Sequence, residues 1–503
     1  MKNLPATLIL LIALLAACQA APPQLPTPGA EPPPPAAPRP VDWDDRSLYE
    51  AGLIPSQRGA LDGLEGASVY HLNWNIAEDL ASMTGAAEVR YTNREQVALD
   101  EIRFQLLPNL LGGRMDVATV LVDGHPAQGS LEFGDSRLRI PLGRSLLPDE
   151  SVVLRLEYSL SIPVELESNY GVLAAYDGVL TLAHAYPMVT VYDEEGWADE
   201  TPAPHGDLTY ADASFFLAQV NAPAGLTLAA SGREVSRQDG GSRQIVTYAA
   251  GPARDFYLAA SPDYEVASQT VGQVTFNSYA PKGLEDGARA ALDMAVASFH
   301  VFDERYAPYP YTEFDLVATP TYALGVEYPG IVALNANLYN LQGEFNGTPT
   351  NIMLESVVAH EAGHQWFYNL VGNDQLGEPW LDESLAQFVT WQYYEDRYGT
   401  GGGEGFEQSL RARWARVENE PIPVGMPVAS YDGTAYSAIV YGRGAFFFEA
   451  LRDQMGKEAF DAFLQDYTET YSWDNVTGDN MKAMAETHCR CDLGALFAEW
   501  IDP

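Results

Sequence analysis

VVAHEAGHQW, Val357 to Trp366, holds two of the chain's eight histidines, His360 and His364, with Glu361 beside the first. On a helix, residues four apart share a face, so both imidazoles reach a single cation. Glu361 lies about 100° round the helix from His360, placed to hold a water on that cation without ligating it. The alternative is a pair of buried core histidines, because Met353, Val357, His360, His364 and Val371 share one face. That alternative leaves the glutamate unexplained. The flanks predict the helix itself. Thr348 can cap it, Pro349 takes its first position, and it runs to about Val371, where Gly372 stops it.

A zinc site of this kind needs a third protein ligand and an open position for water. EPWLDESLAQF, 378–388, supplies the ligand. Glu383 follows His364 after eighteen intervening residues, in the first turns of a helix that Pro379 opens and Gly399 closes. Two antiparallel helices joined by a short loop bring it back to the cation. The expected cofactor is one Zn2+ per chain.

Outward from this centre the pattern stays helical. DGARAALDMAVASFHVFDERYA, 286–307, is an amphipathic helix. FDLVATP, 314–320, and GVEYPGIVALN, 325–335, are extended, and further helices continue to Trp500. Between about Ser68 and Ala260 the period is two, as in AEVRYTN and SVVLRLEYSL, with Gly, Pro, Asn and Asp at the breaks. The expected fold is multidomain. An antiparallel β domain over 65–265 precedes a helix-rich catalytic domain with a small sheet over 270–503.

The N-terminus reads as an address. Lys2 precedes the apolar run Thr7 to Leu15, which is too short to span a bilayer. LAAC, Leu15 to Cys18, resembles the lipobox of bacterial lipoproteins. That resemblance implies a signal peptide over 1–17, cleavage before Cys18 and a lipid on its sulfur. The alternative is an ordinary secretory signal with a chance cysteine. Residues 18–45 are proline-rich and read as an extended stalk. The expected location is the bacterial cell envelope, outside the cytoplasmic membrane and anchored to it. With 28 basic against 69 acidic residues, a net charge of −41, nucleic acid is excluded as a partner. Cationic partners are favoured, including the ammonium end of a peptide. Cys489 and Cys491 are either a local clip or free thiols. The oligomeric state is left open.

HExxH, eighteen residues, then Glu in a W-L-x-E-S context resembles the gluzincin aminopeptidases, the aminopeptidase N family (M1). The resemblance implies a saddle-shaped N-terminal β domain, with FQLLPN, 104–109, matching its L-P-N phrase, and a thermolysin-like catalytic domain. In that family a G-x-M-E-N motif binds the substrate's amino terminus and pairs its backbone. Here the matching residues are Gly325 and Glu327, in LGVEY. A Y-x-K/R-G motif places a phenol at the oxyanion, and YGRG from Tyr441 fits it; Tyr436 matches a second tyrosine found there in some members. The implied chemistry is peptide hydrolysis with Glu361 as general base.

Two departures stand out. The family's second amine anchor, a Gln or Glu of the β domain, is not in register. Ala183 or His184 is expected at its place, with Asp193, Glu194 or Glu195 as the candidate substitutes. The sequence also stops at FAEWIDP, without the helical roof of most members, so a more open cleft that accepts longer peptides is expected. Rival readings are an open-cleft zinc endopeptidase and a lipid-tethered peptide-binding protein without activity. Epoxide hydrolysis, known in a branch of the family, has no support in the residues.

Overall fold

In the computed structural model, residues 42–166 and 169–502 are described. The expected signal peptide, Cys18 and the proline-rich segment through residue 41 lie outside the described residues. Alternation builds the first half. In Ser151–Ser161, Val152, Leu154, Leu156, Tyr158 and Leu160 point to the core while their neighbours face outward. This strand lies in an eight-stranded sheet flanked by two four-stranded ones. The expectation of an antiparallel domain needs one correction, because Val69–Ile76 runs parallel to Ser214–Pro223. The chain leaves the first of these strands, builds the intervening strands, and re-enters beside it in the same direction, which no hairpin requires.

The stretch 42–45, expected as the end of a linker, is docked on this domain. Trp43 stacks on His71 with ring centroids 4.2 Å apart, and Asp44 pairs with Arg90 at 2.5 Å. Tyr49 and Leu53 are buried, and Leu53 forms a bridge to Tyr311 in the second half.

The second sheet begins with Tyr264–Val271 and ends, in spatial order, at the edge strand Gly325–Tyr328. Its strands Val274–Pro281 and Glu313–Thr319 are parallel, so a crossover must join them. Helix α1, Glu285–Arg305, is that crossover, and it buries Ala288, Ala291, Leu292, Ala295, Phe299 and Phe302 along one stripe. It packs on α2, Thr350–Gly363, the helix that carries the histidines. The apolar cluster beneath unites α1, α2 and the sheet, with Trp366 and Leu334 fully buried.

Helix α2 is shorter than its sequence suggests. Pro349, not Thr348, is its N-cap residue; Thr348–Pro349 pairs with Glu344–Phe345 instead. The hydroxyl of Thr350 donates to the carbonyl of Gly343 at 3.1 Å. At the other end regular helix stops at Gly363, and His364 keeps helical torsions. Beyond it the chain turns so that Trp366 donates its indole N–H to the carbonyl of Ala307 at 2.7 Å. Burying that large side chain outweighs continuing the helix to Val371.

Next, Pro379 precedes a π-helical turn, Trp380–Ser384, which runs into α3, Leu385–Tyr398; Gly399, at φ 67°, ends it. Helices α4, Thr400–Trp414, α5, Gly433–Ala438, and α6, Gly444–Met455, follow, with a second π turn, Ile439–Arg443, between the last two. Three more helices end at Trp500, and Cys489 and Cys491 form a disulfide, the clip rather than free thiols. Among the described residues, no helix is long and apolar enough to cross a membrane.

Candidate active site

One helical turn brings Nε2 of His360 and Nε2 of His364 to 3.2 Å from each other. Oε2 of Glu383 lies 3.1 Å from the first and 3.5 Å from the second. Gly363 makes this meeting possible: a Cβ there would stand 2.9 Å from Cγ2 of Val389, so α2 and α3 approach closely only because it is glycine. His364 Nδ1 lies 3.1 Å from the carbonyl of Phe367, to which it donates, leaving the Nε2 lone pair facing the centre.

Three lone pairs thus converge in a buried pocket. Burial disfavours the Glu383 anion, but His364 and His360 outweigh it and hold the carboxyl well below its usual range. Burial lowers His360, while at His364 the carboxylates of Glu327 and Glu383 overcome burial and raise it well above the ordinary value. Two imidazole nitrogens and a carboxylate oxygen around one point suit a divalent cation, and this donor set is the one zinc takes in catalytic sites.

Glu361 is 4% exposed and its Oε2 has no hydrogen-bond partner among the described residues. Burial, then the Glu327 carboxylate, push its pKa well above the usual range, as befits a proton acceptor near neutral pH. Gly325 explains its own identity: a Cβ at that position would collide with the Glu361 carboxylate.

The two π turns face each other. Ser384 in the first donates its hydroxyl to the carbonyl of Val440 in the second at 2.7 Å, and Gly444 has no side chain because Ser384 fills that space. One turn carries Glu383 and the other Tyr441, whose phenol donates to Oε1 of Glu383. Such turns widen a helix locally and re-aim its side chains. Tyr436 packs edge-on against Tyr441, with centroids 5.5 Å apart, and its hydroxyl is buried without a partner among the described residues.

These residues line one cavity of about 420 Å3, with Gly325, Glu327 and Tyr436 in its wall. Carboxylate oxygens of Asp207 and Glu327 in that wall and of Asp382 buried behind it lie within 4.8 Å of one another. Gln375 bridges two of them, donating to Glu327 at 3.0 Å and to Asp382 at 2.9 Å. Oδ2 of Asp207 is buried with no hydrogen-bond partner among the described residues. Burial, then Glu327, raise Asp207 well above the carboxylate range, and burial with Glu383 raises Asp382 to about 8.

Asp207 and Gln375 escaped the sequence reading. Asp193, Glu194 and Glu195, the expected substitutes for the second anchor, do not line the cavity; Asp193 belongs to a short hairpin, Tyr192–Asp193 with Gly196–Trp197. The loop beyond that hairpin reaches the cleft instead. Gly206 in it, at φ 80°, fits against Val428 and Tyr436 where a side chain would not. Ala183 is buried in the β-domain core. His184 does line the cavity; its Nδ1 lies 2.7 Å from Oδ2 of Asp255, off the line of a hydrogen bond. The one advance signal for Asp207 was negative, the absence of an anchor in register.

A histidine pair on one helix, a carboxylate from the next, a buried acid and an opposed phenol define a metallopeptidase-type zinc centre behind a β domain. Residues 290–500 match the Peptidase family M1 domain. It is 27% identical over 271 residues to Aminopeptidase M1-B of Oryza sativa subsp. japonica, covering 52% of this chain and 31% of that protein. Over 276 residues it is 26% identical to Probable aminopeptidase 2 of Sulfurisphaera tokodaii, covering 52% and 34%. The chain thus spans about a third of the length of the curated relatives it matches. The M1 zinc metallopeptidase of Deinococcus radiodurans has the same fold, with a TM-score of 0.65 at 19% identity over 91% of this chain and 95% of that one. A mutant of that protein bound to a Tyr-Ser-Ala substrate superposes at 0.64, also at 19% identity, over 91% and 96%.

Proposed function

We propose that this chain is a zinc-dependent aminopeptidase that removes N-terminal residues from peptides. The observation that carries the reading is the carboxylate wall beside His364. Asp207, Glu327 and Asp382 crowd together with a neutral glutamine and, among the described residues, no lysine or arginine bridging them. Like charges so close call for a cation, and a peptide's α-ammonium supplies one. The names of the curated relatives, aminopeptidases in plants and an archaeon, agree with it.

Zinc, when bound by His360, His364 and Glu383, supplies the Lewis acid that acidifies water and polarises a carbonyl. The chain's own residues do the rest. Glu327 and Asp207 hold the ammonium, which fixes the first peptide bond in register. The edge strand Gly325–Tyr328 offers free backbone groups to an extended substrate. Glu361 accepts the proton of the attacking water and delivers it to the leaving amine. Tyr441 donates its phenolic hydrogen bond to the oxyanion that forms at the carbonyl.

On the sequence signals at LAAC and the proline-rich segment, we place this activity outside the cytoplasmic membrane of a bacterium, tethered by lipid at Cys18. Growth in labelled palmitate tests the tether: label retained by the parent and lost in Cys18→Ala supports it, and equal labelling sinks it.

The activity is tested with one peptide in free and N-acetylated forms, together with zinc content of the same sample. Stepwise release from the free form alone is expected. Internal cuts in both forms would establish the endopeptidase reading, and intact peptides with zinc bound would leave a binding protein.

A further inference from the structure

Among the described residues lining the cavity, Arg413 is the one lysine or arginine. In a chain with 69 acidic and 28 basic residues, a guanidinium is expected to sit against a carboxylate. Arg411, two residues earlier, and Arg452 of α6 do so, with Glu407 at 2.6 Å and Glu449 at 2.7 Å. The Arg413 side chain forms no ion pair and no hydrogen bond among the described residues. Its guanidinium carbon stands 5.5 Å from the Tyr441 ring centroid, in the last turn of α4. Gly442, in the π turn with Tyr441, lets α4 lie that close, since a Cβ there would meet the backbone nitrogen of Trp414 at 3.0 Å. The next basic residue, Arg416, reaches Ser437 of the cavity wall at 3.5 Å.

The cleft is therefore polarised. Burial depresses Arg413. The cation packs on Tyr441, which bonds Glu383, while Gln375 joins the carboxylates of Glu327 and Asp382. A peptide whose ammonium lies at Glu327 and Asp207 runs its downstream residues toward Tyr441 and Arg413.

We infer that Arg413 is a specificity residue that binds a carboxylate downstream of the scissile bond. The group is either the C-terminal carboxylate of a short peptide or an acidic side chain. A planar guanidinium with free donors pairs with a carboxylate in two parallel hydrogen bonds, and partial burial strengthens them. The inference rests on the aminopeptidase reading for its direction, not for the carboxylate itself.

Binding to zinc-loaded Glu361→Gln protein, followed by calorimetry, separates recognition from turnover. The probes are Ala-Phe-Ala as free acid and as amide, and the amides of Ala-Asp-Ala and Ala-Asn-Ala. The free acid is expected to bind roughly tenfold to a hundredfold tighter than its amide. Adding Arg413→Met should reduce that advantage to less than about twofold, and Arg413→Lys should restore part of it. An Asp-over-Asn preference without an acid-over-amide one assigns the carboxylate to a side chain. Equal binding within both pairs, or an advantage that survives Arg413→Met, overturns the inference. The catalytic reading fails separately, if parent protein cleaves neither peptide while the affinity difference stands.

Discussion

The phenol of Tyr441 donates to Oε1 of Glu383, whose Oε2 faces both His360 and His364. Tyr441 thus orients this carboxylate, and in the proposed mechanism the same hydroxyl turns to the oxyanion. The tasks separate in Tyr441→Phe. Loss of an oxyanion donor lowers kcat by about a hundredfold to a thousandfold. Loss of ligand support weakens metal affinity by about tenfold to a hundredfold. At saturating zinc only the first effect persists, so kcat is expected to stay low with KM little changed. Full recovery of kcat on adding zinc would reduce Tyr441 to a support for Glu383.

Glu361 is not among the three groups that converge on the cation, yet it is buried beside them and Gly325 leaves it room. Glu361→Gln keeps volume and burial and removes the basic oxygen. It should keep zinc content unchanged and lower kcat by at least about a hundredfold, the usual contribution of a general base. Zinc lost together with activity would make Glu361 a ligand instead.

The parts of this site legible in sequence are those that local periodicity fixes. His360 and His364 sit four apart on one helix, and their convergence follows from helical geometry alone. Glu383 needed a second helix folded back, and the fixed spacing with its flanking residues identified it. Asp207 was invisible because its loop has no period and reaches the cleft only through packing of Gly206 on Tyr436. Arg413 was invisible for a similar reason: an arginine near the end of a helix is ordinarily a solvated charge, and only Gly442 shows that this end abuts the cavity. The end of α2 was misplaced because the burial of Trp366, a tertiary effect, overrides continued helical pattern. The docking of Trp43 on His71 likewise joins two segments that no local signal connects.

If Glu327 and Asp207 share one ammonium, removing either should weaken the same interaction. Glu327→Gln and Asp207→Asn are each expected to lower kcat/KM for free-ended peptides by roughly tenfold to a hundredfold, mainly through KM. The double variant should lose less than the product of the two, because both charges act on one group. Asp382→Asn is the control. Its carboxylate accepts the backbone N–H of Glu383 at 2.9 Å and the Gln375 amide, so it orders the turn rather than the substrate. Independent effects at Glu327 and Asp207, multiplying in the double variant, would assign them to separate ligands.

His71 ties the N-terminal segment to the β domain and carries a pH dependence. Burial, the largest influence, lowers its pKa from the ordinary 6.5 to about 4, with Arg90 and Arg46 acting in the same direction against Glu88. The folded state thus resists a proton that the unfolded chain accepts. The stabilisation is complete above pH 6.5 and is lost as pH falls from there toward about 4. His71→Phe keeps a ring on Trp43 and removes the titrating nitrogen. Relative to this variant, the parent should lose about 2 kcal/mol of stability between pH 7.5 and pH 5.0. Urea midpoints for both proteins at the two pH values read the difference directly. Parallel shifts in parent and variant would show that His71 titrates alike in the folded and unfolded chain, and that the Trp43 contact holds in acid.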